Sequence, residues 1–148
     1  MSSRAEVPFA VTIEVRDTCL CLHLQRAARA VARRFDEALR PLALTNGQFS
    51  LLMALNRPEP ASIRSIASLL GIDRTTLTAN LKPLARRRLV RTVVDGADKR
   101  TRLLALTPGG RELLVAAVPI WRREHAAIER LLPRARADAL RADLIALS

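Results

Sequence analysis

The chain has 148 residues with a formal charge of +11, 49% hydrophobic and 26% charged side chains, the balance of one soluble globular domain able to bury a real core. Its 25 basic residues against 14 acidic ones favour a polyanionic partner such as nucleic acid, although all but Lys82 and Lys99 are arginine, a bias that genomic base composition also produces. The opening MSSRAEVPFAVTIEVRDTCLCLHLQ lacks the apolar run of a signal peptide and nothing later approaches a membrane span, so a cytoplasmic protein with no membrane partner is expected.

Residues 1–17 read as an N-terminal arm. From Thr18 to Leu39 the apolar residues Leu20, Leu24, Ala27, Ala28, Val31, Phe35 and Ala38 recur at helical steps until Pro41, which predicts a long first helix. Cys19 and Cys21 fall two apart on that helix, too divergent for a mutual disulfide, and are expected as reduced thiols. Thr45 and Gln48 form a capping-box pattern ahead of Phe49, Leu52 and Leu55, so a second helix should run to about Asn56. Ser62 is placed to cap a short third helix and Gly71 to end it. Asp73 then caps a fourth, whose apolar stripe Leu77, Leu81 and Leu84 leaves Arg74, Thr75, Thr78, Ala79, Lys82 and Arg86 on the opposite side. Two helices about a glycine turn, the second with small polar and basic residues outward, is a helix-turn-helix pattern.

LVRTVV and RLLALT bracket DGADKRT and read as two strands with their loop, a wing. Between Asp73 and Arg102 there are nine basic residues and three acidic ones, a net +6. A recognition helix in the major groove leaves an adjoining hairpin beside the minor groove, whose negative potential attracts arginine. Arg100, with Lys99 and Arg102 near the loop, is therefore assigned to DNA.

The run IASLLGIDRTTLTANLKPLARRRLVRTVVDGADKRTRLLALTPGGREL resembles the MarR family of winged-helix transcription regulators, whose wing pattern appears here as Asp98, Arg100, Leu106 and Thr107. The resemblance implies a mostly α fold with a small β-wing, a winged helix-turn-helix over 45–107 flanked by a dimerisation helix over 18–44 and completing helices over 108–148. It implies a homodimer on a palindromic double-stranded operator, acting as a repressor released by a small effector, such as an aromatic or phenolic acid, between the dimer helices and the winged domain. His23, Phe49 and Trp121 are assigned to that effector, and Asp98 to bracing the wing or a recognition-helix arginine. The apolar residues of the last two helices, among them Leu140, Leu144 and Leu147, exceed what a small winged domain needs, which agrees with a dimer. Three positions depart from the family pattern. Arg88 stands where relatives commonly have glycine, so the recognition helix is expected to end without a left-handed cap; Pro83 should bend that helix, and Pro119 should kink or split the fifth.

Signs of an enzyme are thin, and no catalytic residue, cofactor or metal site is assigned. His125 and Glu129 at i and i+4 lack a third ligand, and TPGGREL has no lysine after its glycines. Two other readings remain: a redox-sensing regulator using Cys19 and Cys21, with His23 one turn from Cys19, and an architectural protein that binds DNA without discrimination.

Overall fold

A computed structural model describes residues 6–148; the first five residues of the expected arm lie outside the described residues. The rest of that arm contains a helix, α1 (Phe9–Thr18). Its run of β-branched residues weakens helix propensity, which is why the pattern did not announce it. Thr18 Oγ1 donates to the Glu14 carbonyl at 2.8 Å, and Cys19 leaves the helical region at φ −67°, ψ 108°. The long helix α2 therefore starts at Leu20 and runs to Leu39. Cys19 is thus a non-helical junction, contrary to its expected place inside a helix.

A single 3-10 turn (Arg40–Leu42) and left-handed Ala43 (φ 50°) reverse the chain. The capping box then opens α3 (Asn46–Ala54), with Gln48 N donating to Thr45 Oγ1 at 3.2 Å and Thr45 N to Gln48 Oε1 at 3.0 Å. Strand β1 is only Ala61–Ser62, and Ser62 also caps α4 (Ile63–Leu70), which Gly71 ends at φ 64°. After Asp73 comes α5 (Arg74–Arg86), then β2 (Val90–Val94), β3 (Arg102–Leu106), α6 (Pro108–Glu129) and α7 (Arg136–Ala146). The antiparallel sheet has the order β1-β3-β2, with Ala61 opposite Leu104 and Val90 opposite Leu106. A two-residue strand carries no readable period, so β1 was not expected.

The largest fully buried side chains are Leu39, Leu51, Leu52, Ile66, Leu77 and Leu84. They come from α2, α3, α4 and α5, so the core sits directly beneath α5. Each such burial contributes roughly 1.5–3 kcal/mol relative to exposure. Leu77 and Leu84 are seven residues apart on one face of α5, which fixes the outward face by elimination.

The end of α5 corrects one expectation, and the middle of α6 removes one of two alternatives. Arg88 adopts φ 56° and supplies the left-handed cap itself, with Leu89 N on the Leu84 carbonyl at 3.0 Å and Arg88 N on the Ala85 carbonyl at 2.9 Å. This is the Schellman pattern, stable because buried Leu89 packs back onto the core. Pro119 does not split α6, which is continuous over 22 residues; the carbonyl it leaves free is that of Val115, an exposed residue, so the lost bond faces solvent rather than the core. Likewise α5 runs unbroken through Pro83.

Candidate nucleic-acid interface

Asp73 opens α5 by accepting Thr76 N at 2.7 Å and the Thr76 hydroxyl at 3.0 Å. Those hydrogen bonds to the charged form hold its carboxyl below the ordinary aspartate value. With the helix start fixed, Arg74, Thr75, Thr78, Ala79 and Lys82 line a shallow open groove of about 320 Å³ along the exposed side. Arg86 is exposed one turn later. The Thr78 hydroxyl donates to the Arg74 carbonyl at 2.8 Å. Toward a ligand it therefore offers only lone pairs and a methyl group, suited to a base amino group or a thymine methyl.

The wing is tied by two aspartates. Asp95 Oδ1 accepts Ala97 N at 3.0 Å, while Asp98 accepts Arg100 N through Oδ1 at 2.9 Å and the Thr101 hydroxyl through Oδ2 at 3.1 Å. Of the two roles considered for Asp98, both its oxygens thus serve the wing turn. Arg102 folds back on the hairpin and donates to the Lys99 carbonyl at 2.9 Å. Among the described residues, the Lys99 ammonium and the Arg100 guanidinium make no hydrogen bond or ion pair, which leaves two free cations at the wing tip.

One arginine in this region was not singled out from sequence. Arg87 turns away from the exposed face of α5 and donates to the carbonyls of Ala43 at 2.7 Å and Leu42 at 3.0 Å. In the run Arg86, Arg87, Arg88 nothing distinguishes it; only the end of the helix decides which of the three turns back to the Leu42 and Ala43 carbonyls.

Phe49 and Trp121 come together with ring centroids 6.4 Å apart and an interplanar angle of 21°. They line a cleft of about 610 Å³ with Met53 and Leu70 on one wall and Val118 and Arg122 on the other. His23 does not join them: it lies in a separate concavity on α2 with Arg26, Arg29 and Arg33. The third ring of the stack is His125, 4.8 Å from Trp121. Glu129, considered as its metal-binding neighbour, stands 3.8 Å from His125 Nε2 but 2.7 Å from Arg141 Nη1. No group of three or more potential ligands occurs among the described residues.

Both cysteines are free thiols. His23 Nδ1 lies 2.8 Å from the Cys19 carbonyl oxygen, and Cys21 Sγ accepts from Gln25 Nε2 at 3.2 Å. The imidazole therefore addresses backbone, and among the described residues neither sulfur hydrogen-bonds to a basic side chain.

Residues 44–101, the helix-turn-helix and most of the wing, match the model of the MarR family. The Mycobacterium tuberculosis transcriptional regulator MosR, solved in complex with DNA, is 38% identical, superposes with a TM-score of 0.79, and the match covers 88% of this chain and 93% of that one. The chain belongs to the MarR family. Two further solved structures of similar fold are the transcriptional repressor CouR bound to a 23-mer DNA duplex, at 30% identity, TM-score 0.80 and 97% and 99% coverage, and Bordetella bronchiseptica BpsR, whose DNA binding is regulated by 6-hydroxynicotinic acid, at 27% identity, TM-score 0.79 and 86% and 91% coverage. These MarR relatives are transcription regulators, not enzymes. Matches to two curated regulators span 50% and 61% of those proteins' lengths. Among the described residues no helix is long and apolar enough to cross a membrane.

Proposed function

We propose that this protein is a homodimeric, sequence-specific DNA-binding transcription regulator that represses by occupying a palindromic operator. The observation that carries this reading is the outward stripe of α5 standing beside a wing tip with two unpaired cations. In it, Arg74, Thr75, Thr78 and Ala79 meet base edges in the major groove, Lys82 and Arg86 meet bases or phosphates, and Arg100 with Lys99 enters the flanking minor groove. Arg102 contributes field from beneath the tip, since its guanidinium is held by the wing.

A second copy is supported by apolar side chains that one copy leaves uncovered. Leu20 of α2 is 68% exposed and Ile145 of α7 is 73% exposed, with Leu140, Leu144 and Leu147 exposed beside it. Apolar side chains left bare on these two helices favour an interface with a second copy. The cleft between α3, α4 and α6 supports a small aromatic effector, with Phe49 and Trp121 for its ring and Arg122 for a carboxylate; His23 reaches such a site only if the partner's helices complete it. The thiol reading gains no activating neighbour for Cys19 or Cys21.

Selection of duplexes from a randomised pool tests the proposal. A preferred sequence with two inverted half-sites is the expected result, and Thr78→Ala should shift which half-site variants are accepted. Equal binding of all duplexes, displaced as readily by unrelated competitor as by any other duplex, would leave an architectural DNA binder instead.

A further inference from the structure

The far end of α5 from its base-reading turn is held by an unusual set of contacts. Arg87, just past the helix, bridges the consecutive carbonyls of Leu42 and Ala43. Those carbonyls belong to the corner between α2 and α3, and Ala43 presents one of them because it is left-handed at φ 50°. The same corner is fixed from α2 by Asp36, whose Oδ1 accepts the Asn46 amide at 2.7 Å. On the other side of α5, Arg88 offers its carbonyl to the Thr107 hydroxyl at 2.6 Å, and Thr107 caps α6. The end of α5 is therefore tied to both α2 and α6, and Arg87 makes the only side-chain hydrogen bonds from it to the α2–α3 corner among the described residues.

We infer that Arg87 is a positioning residue for DNA recognition: its two-carbonyl clasp sets the tilt of α5 relative to α2, and through that tilt the aim of Thr75 and Thr78. This role rests on the DNA-binding reading above. Leu77 and Leu84 anchor α5 to the core, but apolar packing is non-directional and constrains tilt less than a planar guanidinium on two fixed acceptors. A helix of 13 residues is about 20 Å long, so a tilt of about 10° pivoting at the clasp moves the base-reading end by roughly 3 Å. A shift of that size removes a base from hydrogen-bonding distance. A lysine at position 87 supplies the same charge but cannot bridge two carbonyls in one plane.

The test compares wild type, Arg87→Ala, Arg87→Gln and Arg87→Lys on the duplex that wild type selects from a randomised pool and on an unrelated duplex, each across a salt series, with thermal unfolding alongside. Loss of the clasp should weaken binding to the selected duplex by about tenfold in all three variants, leave the unrelated duplex within about twofold for Arg87→Lys, and leave the salt slope of Arg87→Lys unchanged. Rescue by lysine, with a shallower slope in the alanine variant, would overturn the inference by making Arg87 a phosphate contact. Unchanged affinity in Arg87→Ala would overturn it too. If Arg87→Ala does not fold, Arg87→Lys, which keeps the charge on a flexible stem, decides between these outcomes. Failure of wild type to select any sequence would remove the DNA reading itself, and this role with it, a result distinct from a silent variant.

Discussion

The hydroxyl of Thr107 donates to the carbonyl of Arg88 at 2.6 Å and accepts the Gly110 amide at 3.0 Å. This pair of bonds draws the first turn of α6 so close to the end of α5 that a Cβ on Gly110 would stand 2.2 Å from the Leu89 carbonyl oxygen. Gly110→Ala should therefore destabilise the protein by about 1–3 kcal/mol through overpacking against backbone. Gly109, whose Cβ would meet nothing nearer than 3.7 Å, is the control, expected within about 0.5 kcal/mol of wild type. Urea unfolding of both variants measures the difference, and equal midpoints would show that the α5–α6 contact yields.

Arg88→Gly should raise the unfolding midpoint. A non-glycine residue in the left-handed region costs about 1–2 kcal/mol, which exceeds the roughly 0.4–1 kcal/mol of unfolded-state entropy that glycine adds. Arg88→Val should lower it, because a β-branched side chain resists that conformation. A fall in Arg88→Gly would mean that the arginine side chain stabilises the fold by more than its backbone strain costs.

Arg100→Ala should weaken binding to the selected duplex by about 1–3 kcal/mol per contacting subunit and flatten its salt dependence, with thermal stability unchanged. Asp98→Ala should also weaken binding, but by loosening the turn that presents Arg100, so its salt slope stays closer to that of wild type. Fluorescence anisotropy across a salt series separates the two. An Arg100→Ala curve that overlays wild type would place the wing away from DNA.

Asp73 makes stability depend on acid. Because its hydrogen bonds to Thr76 hold its carboxyl below the ordinary value, its contribution is complete above the unfolded aspartate range and is lost as pH falls through the depressed folded value. Asp73→Asn, which keeps a capping oxygen without titrating, should unfold with a shallower pH dependence on the acid side. Parallel acid-unfolding curves for the two proteins would exclude that role for Asp73.

If α7 forms part of the proposed dimer interface, deleting residues 134–148 should remove its exposed leucines and leave the facing apolar surface bare. Wild type should sediment as a dimer at micromolar concentration and the truncated chain should aggregate. A well-behaved monomer from the truncation would show that α7 is not part of an interface.

What the sequence made legible was local. The caps Thr45, Ser62 and Asp73 lie within three residues of the amides they serve, and all three stand where their pattern predicts, with the helix-turn-helix among them and the wing after them. What it concealed depends on contacts across the fold. Cys19 is an extended junction between α1 and α2 where the pattern places the start of a helix, β1 exists only because Leu103 and Leu104 pair with it, and Arg88 accepts a glycine's conformation because Leu89 is buried behind it. In the candidate site, the outward stripe of α5 was readable from the spacing of its leucines. Arg87 was not, since its acceptors lie 44 and 45 residues away.

The protein also carries its own gauge. It has one tryptophan and no tyrosine, and that single indole stands half-buried between Phe49 and His125 on the wall of the cleft. Ultraviolet emission from the whole molecule therefore reports one location. Anything that displaces water from the cleft or parts the three rings changes the colour and yield of that light, with no label attached and no other fluorophore to correct for.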